Sequence, residues 1–427
     1  MLRRIFAFFV FASMLLAASA CGSVETGGKS GGKAVSGEIQ FYTYRDDLLN
    51  TWYPKALEEF KAKYPDVKVV TSTSKDSEND LKVKMSANDV PDVMTLQGGD
   101  IYSDKQKETY LLALDEVFPD LVKNWQGNDS FVSANDKKTY ALTFGLQSVG
   151  LAYNKNIFTE LGLQPPKTLD ELIAAGKKIK ESGRIGLAGC LKPVWTTEPY
   201  LYLSRIFMDS MTDTYNKMAT EDAPFTLDGP YGKAMSVFKK IADAGIWEED
   251  ALSYDWEPFL KDFGSGKIGM TFIWTNTPVQ FPDRGDGSFK LEDIGFVPFP
   301  YDNSGGPYKT LYFADHGMAV SKSSKNLEAA RAFFKWHMDD KYADYALANA
   351  SISANKNVTV DVPYLKEFNS AGPVMVFDEK VPAEFKTIMD KAQLDICQQL
   401  VEIAAGNDVN TQIEKMNAAW KNGRASR

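Results

Sequence analysis

Two histidines, His316 and His337, are the whole imidazole content of this 427-residue chain, and three cysteines, Cys21, Cys190 and Cys397, are its thiols. A Ser-His-Asp triad or a His-based metal site would have to rest on one of those two rings. Neither sits in a ligand-spaced cluster, so no metal site and no cofactor is expected. The glycine motifs fail on context. Gly264-Ser265-Gly266-Lys267-Ile268-Gly269 matches GxGxxG, but a helical segment precedes it and a strand follows, the reverse of a dinucleotide fingerprint. Gly28-Lys29-Ser30-Gly31-Gly32 matches a nucleophile elbow inside a low-complexity tract, where no strained strand–turn–helix exists. What remains is a set of polar and aromatic side chains suited to holding a ligand. Tyr44-Arg45-Asp46-Asp47 and Gln97-Gly98-Gly99-Asp100 are two clusters of this kind. Asp46 or Asp47 could equally cap the helix that follows.

The elements around those clusters alternate. EIQFYTY (38–44) has the period-two pattern of a strand, and 52–64 puts Tyr53, Ala56, Leu57, Phe60 and Tyr64 on one helical face. VKVVTS (67–72) and DVMTL (92–96) are further strands, separated by a helix candidate at 81–89. Strand, helix, strand, helix, strand is a parallel sheet of βαβ units, and its ligand edge lies at the carboxyl ends of the strands. Both polar clusters stand at such ends. A second region begins near Thr143 with a strand at 144–154. A helix follows from Thr168, where Thr168 and Glu171 form a capping-box pattern. IGLAGC (185–190), GKIGMTFIW (266–274) and HGMAVS (316–321) read as strands, 326–338 as a helix with Asn326 at its N-cap, and 382–420 as mostly helical.

Composition narrows the class. The chain is 44% hydrophobic and 25% charged, as globular proteins are. A net charge of −9 argues against nucleic acid, which needs clustered Lys and Arg. Residues 1–20, MLRRIFAFFVFASMLLAASA, have the basic start, apolar run and small-residue end of a signal peptide. Cys21 follows Ala18-Ser19-Ala20 in a pattern that resembles a bacterial lipobox, with Ala18 where leucine is usual. Residues 22–37 read as a flexible tether. Cys21 is thus expected to be lipidated, holding the roughly 390 residues beyond the tether, enough for two or three domains, on the outer face of the cell membrane. Cys190 and Cys397 are expected to be buried free thiols, although an oxidising exterior permits a disulfide.

Five stretches together resemble the extracellular solute-binding proteins of bacterial ABC importers, in the group that carries sugars and oligosaccharides. They are LEEFKAKYPDVKV (57–69), PDVMTL (91–96), LAYNKNIFTELGLQPPKTLDELIAAGKKIK (151–180), FGSGKIGM (263–270) and VSKSSKNLEAARAFFKWHM (320–338). The resemblance implies an α/β, two-lobed periplasmic-binding-protein-like fold with a hinged central cleft. Lobe one is expected at 38–145 plus 312–368 and lobe two at 148–308 plus 372–427. The crossings then fall near Gln147, Leu311 and Gly372-Pro373. It implies a monomer without enzymatic activity that closes on a sugar and hands it to permease subunits.

Sugars offer hydroxyls in the ring plane and C–H faces above it, so a sugar cleft needs aromatic plates and planar hydrogen-bonders. The candidates are Tyr44, Arg45, Asp46, Asp47, Gln97, Asp100, Gln147, Trp195, Trp274, Asn276, Asp315 and His316. Trp274 stands where the family often has a stacking aromatic. Trp256 opens an amphipathic helix and is expected in the core, as are Trp52, Trp247, Trp336 and Trp420. Two other readings are kept: the same fold with a non-sugar solute, and a secreted glycoside hydrolase. The latter needs two carboxylates flanking one bond, which Asp46, Asp47, Asp100 and Asp315 could supply.

Overall fold

The computed structural model describes residues 35–426 except Lys75, Gly99 and Asp100. The lipidation site expected at Cys21, the leader, most of the tether and the candidate Asp100 lie outside the described residues.

Two sheets organise the chain. The first contains β1 (Gly37–Tyr42), β2 (Val67–Ser72), β3 (Val93–Gln97) and β4 (Leu142–Thr143). The second begins with β5 (Leu146–Asn154) and continues with β6 (Ile185–Ala188), β7 (Ile268–Trp274), β8 (Ile294–Val297) and β9 (Lys309–Ala314). The chain then returns to the first sheet as β10 (His316–Val320), and β11 (Val374–Phe377) closes the second. Spatial order is β2-β1-β3-β10-β4 in the first sheet and β11-β9-β5-β7-β6 in the second, with β8 also on β5. β1, β2 and β3 are parallel, whereas β10 runs antiparallel to β3. The βαβ start of the chain therefore folds as its periodicity requires.

Burial follows the pattern. Helix Tyr53–Lys63 turns Tyr53, Ala56 and Phe60 inward, where Phe41, Phe333 and Trp336 meet them. Helix Leu169–Glu181 buries Leu169, Leu172, Ala175, Gly176 and Ile179, and Thr168 caps it by accepting from the Glu171 amide at 3.1 Å. Asn326 does not cap helix Leu327–Lys335; its amide instead donates to the Glu38 carbonyl, tying the helix to β1. Cys190 and Cys397 are both buried and unbridged.

Three passages join the sheets. Phe144-Gly145 connects β4 to β5, and Asp315 connects β9 to β10. After helix Tyr342–Ala348 the chain runs back through Ser351–Ser353 to helix Pro363–Ser370, which packs beside β8 and Phe296. Two expected boundaries therefore move. β9 pairs with β5 as far as Ala314, which shifts the second crossing from Leu311 to Asp315. Tyr364, Leu365 and Phe368 bury their side chains with Phe296, which shifts the third crossing from Gly372-Pro373 to before Val362. The passages are bonded side by side. Leu146 and Ile352 exchange backbone hydrogen bonds of 2.8 and 3.0 Å, and the Phe144 amide donates to the His316 carbonyl at 2.9 Å.

Candidate functional site: a cleft between two sheets

A cavity of about 950 Å³ lies between the sheets, lined by residues of both. Tyr44 and Gln97 enter it from the carboxyl ends of β1 and β3, the edge at which parallel sheets bind ligands. The second sheet obeys the same rule. β6 and β7 are parallel, and the chain beyond each reaches the cleft.

The turn after β6 is set by Glu248, whose carboxylate accepts from the amides of Gly189 and Cys190 at 2.9 and 2.7 Å. Burial raises the Glu248 pKa, and those amide bonds only partly offset it. Thr196 then bonds the Cys190 and Pro193 carbonyls. Those bonds hold a 3₁₀ turn, Val194–Thr197, that presents Trp195. β7 is buried along its length until Trp274, which is half-buried at its end. Trp195 meets Trp256 at 4.8 Å and Trp274 at 5.7 Å between ring centroids. The three indoles make one aromatic surface. Trp256, expected in the core, lines the cleft because Phe259, Leu260 and Phe263 supply the buried side of its helix.

The aromatic surface continues into a charged one. Helix Glu198–Ile206 turns Tyr200, Leu203 and Ile206 inward and Glu198, Tyr202 and Arg205 toward the cleft. Those three are spaced i, i+4, i+7, a single helical stripe. The Tyr202 hydroxyl donates to Glu198 at 3.0 Å, its ring packs on Phe313 at 5.0 Å, and the Arg205 guanidinium lies 5.4 Å from its centroid. Arg205 pairs with Asp378 at 2.5 Å. Burial pushes the Glu198 carboxyl upward, more than Tyr202 and Arg205 pull it down. Asp378 extends the β11–β9 pairing, donating its amide to the Tyr312 carbonyl at 2.8 Å. Glu379, Lys380 and Lys386 carry the lining onward.

The structure sorts the expected residues. Tyr44, Gln97, Gln147, Trp195, Trp274, Asn276 and Asp315 line the cleft together. Gln147 is almost wholly buried and its amide is already engaged, accepting from Thr275 at 2.5 Å and donating to Ser351 at 3.3 Å. It stitches β5 to the third passage. Arg45, Asp46, Asp47 and His316 are not lining residues. Arg45 grips Asp47 through two bonds of 2.8 and 2.7 Å and also bonds Asn349. Burial alone would raise the Asp47 pKa, but the Arg45 bond and charge hold it below the usual carboxylate value. Asp46 is exposed at the start of helix Asp46–Thr51, where its carboxylate accepts from the Asp47 amide at 2.9 Å. His316 is fully buried between Asp315 at 2.8 Å and the Tyr345 hydroxyl at 2.9 Å. Its part is to orient Asp315, whose pKa falls because its interactions with His316 and the Arg45 guanidinium outweigh burial. Gly98 lines the cleft, and its missing side chain admits backbone. A Cβ there would sit 2.1 Å from the Ala314 carbonyl oxygen.

The charged end lies outside the residues expected from the sequence. Glu198, Tyr202 and Arg205 were visible as a polar stripe opposite an apolar face. Asp378 follows a four-residue apolar run, VMVF, bounded by Pro373 and Asp378, which is a strand signal.

Residues 45–344 match the family model described as bacterial extracellular solute-binding protein. The chain belongs to that family. It is similar over 387 residues, at 28% identity and 84% of each chain, to the melibiose/raffinose/stachyose-binding protein MelE of Bacillus subtilis. Over 303 residues it is 25% identical to the multiple sugar-binding protein of Streptococcus mutans, covering 70% of each chain. Among solved structures it shares the fold of a manno-oligosaccharide-specific solute-binding protein of Bifidobacterium animalis subsp. lactis in complex with mannotriose. There the TM-score is 0.74 at 22% identity, over 93% of this chain and 97% of that one. The two sheets, three passages and shared cleft are thus the two-lobed α/β architecture of solute-binding proteins.

Proposed function

We propose that this chain is the substrate-binding lipoprotein of an ABC importer. It captures an oligosaccharide between its lobes and presents the closed form to a membrane permease. The observation that carries the reading is the cleft wall, where three contiguous indoles pass into a row of Tyr202, Arg205 and Asp378. Indole faces suit sugar C–H faces, and the ion-paired side chains suit ring hydroxyls. A cavity of about 950 Å³ has room for more than one sugar ring, which favours an oligosaccharide. Names of the relatives, which bind raffinose-type and multiple sugars, point the same way. The solute-binding role needs no catalysis. Asp46 and Asp47, two of the carboxylates open to a hydrolase, are spent on a surface helix and on Arg45.

A thermal-shift screen against raffinose, stachyose, maltotriose, mannotriose and chitobiose tests the reading, because a ligand of the native state alone raises the midpoint. The stabilising sugar should also compact the protein in small-angle scattering and remain chemically intact after long incubation. No shift with any sugar, or release of shorter sugars, would overturn it. Membrane retention of a Cys21→Ala variant would remove the lipid anchor from the reading.

A further inference from the structure

We propose that Asp104 and Lys380 form a latch across the cleft that favours the closed arrangement of the two lobes. Lys380 follows β11 on the second sheet, and Asp104 opens helix Asp104–Tyr110, which follows β3 of the first. The Lys380 ammonium lies 3.3 Å from both carboxylate oxygens of Asp104. Neither residue belongs to a passage. The hydrogen bonds among the passages survive a bending hinge, but this ion pair must break when the lobes part.

One half of the latch is preset. The Asp104 carboxylate accepts from the Ala134 amide at 3.1 Å and sits 3.0 Å from the Lys107 ammonium. Lys107 is itself buried and donates to the carbonyls of Ser130 and Val132 at 3.2 Å each. Asp104 thus keeps its place when Lys380 leaves. Burial opposes the Asp104 charge, but the Lys107 and Ala134 bonds, together with that to Lys380, outweigh it and lower the pKa. The other half is a lysine side chain about twice as exposed as its acceptor. Its location is also suited to the task. The cleft wall runs from Trp256 through the Arg205–Asp378 pair, and Lys380, two residues on, reaches from that wall to the opposite lobe. An acceptor held by its own lobe and an exposed donor on the facing wall make Lys380 a positioning residue for capture.

The inference rests on the proposed hinge motion and is independent of which sugar binds. Spin labels on exposed positions 89 and 249, one on each lobe, report the open and closed populations of the sugar-free protein. Lys380→Gln and Asp104→Asn should each lower the closed-to-open ratio by a factor of about two to five, the scale of a partly exposed ion pair. Lys380→Arg should restore it. About 1 M salt should move the wild type toward the Lys380→Gln distribution and leave that variant unchanged. Raffinose and mannotriose, added separately, serve as closing probes. A separation that a sugar shortens but Lys380→Gln leaves as in the wild type would overturn the latch alone. A separation that no sugar, salt or variant moves would overturn the hinge and the latch together.

Discussion

Replacing Trp195 by alanine separates a residue that waits for a ligand from one that holds the fold. Trp195 is 44% exposed although it touches two other indoles. A tryptophan presents up to about 250 Å², so on the order of 100 Å² remains for a ligand to cover. At about 25 cal/mol per Å² that surface is worth roughly 2–3 kcal/mol on binding. The lost affinity should be about 30- to 150-fold. Stability should fall by less than for a fully buried tryptophan, because only the covered part of the ring contributes to folding. Trp420, fully buried with its indole N–H on the Glu221 carbonyl at 3.0 Å, is the control. Trp420→Ala should cost about 3–5 kcal/mol of stability. Titration calorimetry with the sugar found by thermal shift, alongside urea unfolding, reads both quantities. Trp195→Ala with undiminished affinity, or with a stability loss equal to that of Trp420→Ala, would refute the assignment of Trp195 to the cleft wall.

Arg205→Met should weaken binding more steeply than it lowers the melting midpoint, because Asp378 loses its 2.5 Å partner inside the cleft; calorimetry showing intact affinity would count against the charged end as a ligand surface. Gly98→Ala should lower stability by about 1–3 kcal/mol, since its Cβ meets the Ala314 carbonyl at 2.1 Å while its amide is held by the Asp315 carbonyl at 2.6 Å. An unchanged urea midpoint would show that this backbone yields. His337, buried with Nε2 on the Tyr53 hydroxyl at 3.0 Å, has its pKa pushed down by burial from 6.5 to about 3. The unfolded chain then binds the extra proton first, so stability is full above about pH 6.5 and declines as pH falls toward 3. The loss is roughly 2 kcal/mol by pH 5, and His337→Gln should flatten that part of the pH–stability curve.

The βαβ start and the strand ends were legible because apolar period and carboxyl-end position are local properties. The faces of adjacent residues at those ends were not. Tyr44 lines the cleft and Arg45 does not, and Asp315 lines it while His316 points into the core. Successive residues of extended chain point to opposite sides, so Asp315 and His316 cannot both face one ligand, and Asp46 and Asp47 already belong to the helix that follows β1. Trp195 and Trp274 were legible as aromatics after strands. Trp256 departs from the expected core position because its helix is apolar on one side and its first residue lies off that side. Asp378 depends on β11 pairing with β9 across more than 60 residues, which no local pattern reveals.

The three cleft indoles also give the protein an optical identity. Chromophores whose centroids lie 4.8 and 5.7 Å apart, tilted at 58° and 37°, share their electronic excitation. Their circular dichroism in the ultraviolet is expected to be that of a coupled set and not of isolated tryptophans. A molecule lodged against Trp195 alters both the polarity around the set and the angle between its members. Occupancy of the cleft is therefore written into the unlabelled chain's own absorption bands.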